Sequence, residues 1–182
     1  MLSAFPDRKW EKEMSSLSMY QASVPLFRQK LDCLAAILKK GETHAFEKKI
    51  DPSVLLQTRL FPDMFPLVKQ VQIAADLTKS GVANLAGVEA PRFEDVEATF
   101  PELADRIQRT QHYLDQFHPE QIDGSEEKDV NLNLGGHQVS FKGRQYLLGF
   151  VTPNFYFHLT TAYAILRHCG VEVGKRDFLG TF

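Results

Sequence analysis

The stretch PNFYFHLTTAYAILRHCG, from Pro153 to Gly170, carries aromatic and apolar residues at helical spacing together with two polar residues one turn apart. Asn154 and His158 are four residues apart, so both side chains fall on one face of the predicted helix. Such a pair is suited to holding a metal ion, to binding a small molecule, or to a hydrogen bond inside a core. The stretch therefore predicts a site-bearing helix near the end of the chain.

Three further segments show the same helical period. Apolar residues recur at three- and four-residue steps over residues 18–40, 63–87 and 99–117. Ser18 is the predicted N-cap of the first helix, and Gly41 the left-handed residue that ends it. Thr99 and Glu102 have the spacing of a capping box at the start of the third helix. Four long helices with irregular connections predict an all-α protein built as a four-helix bundle.

A short stretch between the third and fourth long helices has a period of two instead. Apolar and polar residues alternate over residues 129–134, Gly135 and Gly136 form a turn, and the alternation resumes over residues 137–142. This pattern predicts a small β-hairpin in which Val130 faces Phe141 and Leu132 faces Val139. A lone hairpin is unstable in water, so it must pack on the helices.

Length and composition favour one domain. The chain has 182 residues, of which 43% are hydrophobic, enough for a single substantial core. Residues 14–182 form the predicted helical bundle domain, and residues 1–13 form an N-terminal extension without a sustained period. Translation starting at Met14 is the alternative to a start at Met1.

Charge and the length of the apolar runs argue against nucleic-acid and membrane partners. The 21 basic and 23 acidic residues give a formal net charge of −2, and the basic residues are scattered, so nucleic acid is not an expected partner. Apolar runs are too short for a membrane-spanning helix, and the N-terminus lacks the apolar core of a secretory signal. The sequence predicts a cytoplasmic protein without a membrane partner.

His158 is the strongest candidate for a site residue because a histidine amid so much apolar surface needs a hydrogen-bond partner. Asn154 and Gln72 are the candidate partners. Tyr20 is a candidate for lining the same cleft. A metal ion would need three good protein ligands, and Asn154-xxx-His158 is a weaker signal than two histidines at that spacing.

Three segments carry a resemblance to a known group of proteins: SLSMYQASVPLF at residues 16–27, RLFPDMFPLVKQVQIAADLTK at residues 59–79, and PNFYFHLTTAYAILRHCGVEVGKRDFLG at residues 153–180. They resemble a bacterial family of domains of unknown function within the DinB and YfiT-like superfamily. The resemblance implies an up-down-down-up four-helix bundle, commonly a homodimer. It also implies a cleft that in many members binds a divalent metal, such as zinc or nickel, through three histidines.

The resemblance extends to individual residues. His158 matches the second histidine of the superfamily's closing motif, and Asn154 stands where the first would be. The remaining ligand position falls on Gln72, with Gln70 as the alternative register. Amides at two of three positions favour a small-molecule-binding bundle with a degenerate metal site, in which His158 is the one retained metal ligand.

Two other functions remain open at this point. The first is a divalent-metal-dependent transferase or hydrolase of the DinB and YfiT-like type, in which Asp63 or Asp76 would complete the ligand set with His158. The second is a dimeric interaction module without catalysis. The sequence does not decide whether the protein is an enzyme.

Overall fold

Helices dominate the computed structural model, which describes residues 17–181. The four long helices are α1 (Val24–Lys48), α3 (Leu67–Ala86), α4 (Phe100–Leu114) and α7 (Thr152–His168). The short helices are α2 (Pro52–Gln57), α5 (Pro119–Ile122), α6 (Gly143–Gln145) and α8 (Lys175–Leu179). Strands β1 (Asp129–Leu134) and β2 (His137–Lys142) form the hairpin, and a π-helical segment, Tyr146–Val151, leads directly into α7.

The long helices pack in the order α1, α4, α3, α7 around the bundle. A Cβ placed on Gly41 of α1 would lie 3.2 Å from Phe100 at the start of α4 and 3.0 Å from Leu166 near the end of α7. Helix α1 is therefore antiparallel to α4 and parallel to α7. On α3, Gly81 lies against Val151, just before α7 begins, so α3 and α7 are antiparallel. The expected up-down-down-up four-helix bundle is confirmed.

The predicted ends of the first helix are wrong. Helix α1 starts at Val24 instead of Ser18 and continues beyond Gly41 to Lys48. Gly41 is buried inside the helix, where its missing side chain allows the close approach of neighbouring helices. The left-handed residue that ends α1 is Lys49, with φ of 56°. Tertiary packing thus overrides the local helix-end signal of Lys39 and Lys40 followed by Gly41.

Other helix ends follow their local signals. The side chain of Asp51 accepts a hydrogen bond from the Ser53 backbone N–H at 2.9 Å and caps α2. Thr99 and Glu102 form the expected capping box of α4. Gly87 ends α3 with φ of 76°, as expected from its position after the apolar pattern. The start of α3 at Leu67 is four residues later than predicted.

The β-hairpin has the predicted register, with Val130 opposite Phe141 and Leu132 opposite Val139. Val130 is buried, and the Phe141 ring centroid lies 5.5 Å from that of Phe150 in the π-helical segment. The apolar face of the hairpin therefore packs on the bundle, which provides the stability that an isolated hairpin lacks.

The π-helical segment lies directly before the last long helix. Its Tyr146 hydroxyl accepts a hydrogen bond from Asn84 Nδ2 of α3 at 2.8 Å. Val151 fills the space left by Gly81, where an added Cβ would lie 2.7 Å from Val151 Cγ1. These contacts fix the start of α7 against α3 and so set which residues of the two helices meet farther along.

Within residues 17–181, no helix is both long and apolar enough to cross a membrane. The predicted N-terminal extension, residues 1–13, lies outside the described residues, as does Met14.

Candidate functional site

The site lies between α3 and α7, where His158 meets a glutamine. His158 Nδ1 lies 2.7 Å from Gln70 Oε1. Gln70 is 1% exposed, whereas His158 is half-buried. The Gln70 Nε2 donates to the Phe65 carbonyl oxygen at 2.9 Å, so Gln70 links α7 to the turn that precedes α3. Both polar groups of the Gln70 amide are thus engaged.

This network determines the tautomer of His158. The Phe65 carbonyl oxygen can only accept, so it must face the amide nitrogen of Gln70, which leaves Gln70 Oε1 toward the imidazole. Because Gln70 Oε1 is also only an acceptor, His158 Nδ1 must carry the proton and donate. In the neutral imidazole Nε2 then has a free lone pair.

Burial also favours the neutral form of this histidine. Removal from water penalises the imidazolium and lowers the pKa of His158 below its ordinary value. No residue within 17–181 donates a hydrogen bond to His158 Nε2 or forms an ion pair with His158. The site therefore offers one neutral hydrogen-bond acceptor at Nε2.

One aromatic ring lies beside the imidazole, and a second exposed phenylalanine belongs to the same hydrogen-bond network through its backbone. The ring of Phe157 stands edge-on to the His158 imidazole with a centroid distance of 5.2 Å. Phe157 is 56% exposed, and Phe65, whose carbonyl binds Gln70, is 54% exposed. An apolar group beside a hydrogen-bond acceptor that receives no hydrogen bond from the protein is typical of small-molecule sites.

Asn154 lies one turn before His158, as predicted, but its amide nitrogen is already engaged. Asn154 Nδ2 donates to the Phe150 carbonyl oxygen in the π-helical segment at 2.7 Å. This bond supports the backbone where Pro153 removes a donor from the helix. Asn154 thus stabilises the helix start, and only its Oδ1 is available toward a ligand.

The choice of Gln72 as the partner of His158 is wrong. Gln72 Nε2 donates to Glu97 Oε2 at 2.8 Å, on the side of α3 that faces α4. Gln70 and Gln72 are two residues apart, which places their side chains about 200° apart around the helix axis. The alternative register, Gln70, is the one that the structure brings to His158.

Tyr20 lies in the turns before α1. Its backbone N–H donates to Asp123 Oδ1 at 2.8 Å, and its side chain packs partly buried against the core. No hydrogen bond joins the Tyr20 hydroxyl to His158 or Asn154. Tyr20 as a residue that lines the cleft therefore stays a prediction.

Sequence reasoning missed a buried ionic cluster on the other side of α3. Arg106 is fully buried and donates to Glu97 Oε1 at 2.9 Å and to Asp76 Oδ2 at 2.8 Å. Arg106 Nη2 also lies 3.0 Å from Asp95 Oδ1, and Lys79 Nζ lies 2.9 Å from Asp76 Oδ1. A signal existed in the sequence: Arg106 falls at helical spacing within an otherwise apolar stripe.

The cluster ties the segment between α3 and α4 to both helices. Lys69 of α3 pairs with Asp95, and Arg106 also donates to the Glu94 carbonyl oxygen at 3.1 Å. Burial opposes ionisation of Glu97, but hydrogen bonds from Arg106 and Gln72 hold the pKa of Glu97 below its ordinary value. Glu97 is therefore a charged structural group at neutral pH.

The metal ligands considered from the sequence are not brought together. Asp63 is exposed before α3, and Asp76 is held by Arg106 and Lys79. Among residues 17–181 no group of three His, Cys, Asp or Glu side chains is close enough to hold a metal ion. His158 Nε2 and an amide oxygen are a poor donor set for zinc or nickel, so the residues present do not fit such a site.

The bundle and its α3–α7 site define a helical protein of the DinB-like class. Comparison with known proteins agrees. A solved structure described as a DinB family member protein from Shewanella denitrificans is 41% identical, with a TM-score of 0.81 over 90% of this chain and 92% of that chain. Residues 19–179 match the family described as domain of unknown function DUF1993. The chain belongs to this DUF1993 family. No curated protein matches it.

Proposed function

We propose that this protein binds a small molecule at the α3–α7 site, with His158 Nε2 as the hydrogen-bond acceptor, and has no catalytic activity there. The observation that carries the proposal is the imidazole held neutral by burial and fixed by Gln70 with its proton on Nδ1. A fixed acceptor without a protein donor gives orientation to a bound molecule, and the nearby apolar surface gives affinity.

The expected ligand is a neutral molecule with one hydrogen-bond donor on an aromatic or apolar body. The donor would bind His158 Nε2, and the body would contact Phe157 and Phe65, both more than half exposed. An anion is disfavoured because the two groups bonded at the site, His158 with its lowered pKa and Gln70, supply no positive charge. A cation is disfavoured because the half-buried site contains no carboxylate bonded to these residues.

Amides in two of the superfamily's ligand positions also support binding without a metal. Asn154 and Gln70 stand where the resemblance implies histidine ligands, and both amide nitrogens bond to backbone carbonyls. A divalent-metal transferase or hydrolase would need those positions to donate to the metal. We therefore favour small-molecule binding over a metal-dependent transferase or hydrolase.

The test uses two matched probes, phenol and anisole, which share a ring and differ in the donor. Phenol should perturb the aromatic NMR signals of His158 and Phe157 more strongly than anisole does. His158→Phe should weaken phenol binding about threefold to tenfold, the contribution of one hydrogen bond. The matched control is His168→Phe, at an exposed position at the end of α7, which should leave binding unchanged. Equal binding of phenol to the wild type and His158→Phe would refute the proposal.

A homodimer is a second proposal, which a specific surface feature favours. Leu60, Phe61 and Phe65 precede α3 and are 41%, 64% and 54% exposed, close in sequence to the Gln70 contact with His158. Exposed apolar groups of this size often mark an interface. Light scattering should show a dimer for the wild type and a monomer for Phe61→Ser. Phe46→Ser, at a still more exposed phenylalanine near the end of α1, should remain a dimer; a monomeric wild type would refute this proposal.

A further inference from the structure

A groove of about 970 Å³ lies between α4 and the segment that follows α3, apart from the α3–α7 site. One wall is a face of α4, and the opposite wall is formed by residues 89–93. The lining residues of the groove include none of the residues of the α3–α7 site. A volume of this size is in the range of small-molecule sites.

The α4 wall is a polar and aromatic stripe. Arg109, His112 and Tyr113 occur at helical spacing, so their side chains lie on one face, and Gln116 follows just beyond the helix end. The other wall is held in place by the ionic cluster, because Arg106 bonds to the Glu94 carbonyl oxygen directly after residues 89–93. The groove is therefore formed before any ligand arrives, which lowers the entropic cost of binding.

Arg109 is the group in this groove that is prepared for an anion. Its guanidinium carbon lies 4.1 Å from the centroid of the Phe93 ring. This cation–π contact restricts the guanidinium, whose N–H groups suit a planar oxyanion. The nearest carboxylate, Asp105, is 3.8 Å from Arg109 Nη1, which is too long for a hydrogen bond.

The remaining lining suits the body of an organic anion. The lining includes two arginines, Arg92 and Arg109, and one acidic residue, Glu89. Phe93 and Tyr113 provide aromatic surface. The Tyr113 hydroxyl has no hydrogen-bond partner among the described residues, and burial raises its pKa, so it remains a neutral phenol.

We propose that this groove binds a small aromatic or apolar carboxylate, with the carboxylate on the N–H edge of Arg109 and the apolar body against Tyr113 and the edge of Phe93, whose ring already has Lys79 Nζ and Arg109 over it at 3.8 and 4.1 Å from its centroid. The proposal is independent of the function assigned to His158. A planar carboxylate accepts two parallel hydrogen bonds from a guanidinium, which a point charge such as lysine does not provide. Arg109 is therefore the specificity-determining residue of the groove.

The probes are benzoate and its neutral analogue benzamide, used with the full-length protein. Benzoate should bind with a Kd on the order of millimolar, as expected for a fragment, and should shift the NMR signals of the Arg109 Nε–H and the Phe93 ring. Benzamide should bind at least about tenfold more weakly, because it lacks the charge-assisted hydrogen bonds.

Two variants of one residue separate charge from geometry. Arg109→Gln and Arg109→Lys should both weaken benzoate binding, by about tenfold or more for glutamine. Arg167→Gln, at an exposed arginine of α7, should leave the affinity unchanged, as should His158→Phe. Thermal melting confirms that each variant is folded. The proposal is overturned if benzoate does not bind or if it shifts the NMR signals of Arg109 and Arg167 equally. It is also overturned if Arg109→Gln binds benzoate with the affinity of the wild type.

Discussion

Gln70 and Gln72 are both buried on α3, yet they belong to networks of opposite kinds. Gln72 joins the ionic cluster around Arg106, in which Arg106, Lys69 and Lys79 balance three carboxylates. Gln70 belongs to a neutral network that runs from the Phe65 carbonyl to His158 and ends on an imidazole acceptor without a donor among the described residues. The charge-balanced network holds the fold together, and the open-ended one is available to a ligand.

The largest effect should come from breaking the ionic cluster. Arg106→Met leaves three carboxylates without their shared cation, and loss of one member of a buried ionic network costs about 3 to 5 kcal/mol. Urea unfolding followed by circular dichroism measures the loss. Arg167→Met, at an exposed position, should change the free energy of unfolding by less than about 0.5 kcal/mol. A similar small loss for Arg106→Met would show that the cluster is not structural.

A smaller effect should distinguish the two glutamines. Gln70→Leu leaves His158 Nδ1 and the Phe65 carbonyl oxygen unpaired, so we expect a loss of about 1 to 3 kcal/mol. Gln72→Leu removes one hydrogen bond from Glu97, which keeps its bond to Arg106, so about 0.5 to 1.5 kcal/mol is expected. The same urea titrations compare the two variants. A larger loss for Gln72→Leu would reverse the assignment of roles.

The smallest effect concerns the pH dependence of stability, because the two networks should lose their contributions at different pH values. The folded-state pKa of His158 is lowered by burial, so the unfolded chain takes up a proton first as the pH falls below about 6.5. Stability should therefore be full above pH 6.5 and decrease from there to the lower folded-state pKa. His158→Phe should remove this decrease, as thermal melting between pH 8 and pH 5 would show. An unchanged pH profile in that variant would contradict a neutral His158.

The ionic cluster should respond at lower pH. Burial opposes ionisation of Asp95, but hydrogen bonds and charges of Lys69 and Arg106 hold its pKa below its ordinary value. Burial likewise opposes ionisation of Glu97, but hydrogen bonds from Arg106 and Gln72 hold the pKa of Glu97 below its ordinary value. Their stabilisation is present above the ordinary carboxyl pKa of about 4 and is lost as the pH falls through the lower folded-state values. In Arg106→Met, stability should depend less on pH below about 4, and its pH dependence near pH 6.5 should be unchanged.

Features with local causes were predictable from the sequence, and those that depend on helix packing were not. The Thr99 capping box and the register of the hairpin each rest on residues within one element or one turn. The length of α1 depends instead on neighbouring helices that pack on Gly41. The choice between Gln70 and Gln72 depends on the rotation of α3 about its axis, which the π-helical segment and Gly81 help to set. His158 and Asn154 were placed correctly on α7, whereas the engagement of the Asn154 amide with the backbone was not foreseen.

The protonation state of the His158 imidazole tests the central claim most directly. A long-range proton–nitrogen NMR spectrum at pH 7 resolves the two ring nitrogens of each histidine. We expect His158 to be neutral, with a protonated Nδ1 and an unprotonated Nε2, and we expect Gln70→Leu to disturb this tautomer while Gln72→Leu leaves it intact. An imidazolium at pH 7, or a proton on Nε2 of the wild-type protein, would contradict the account.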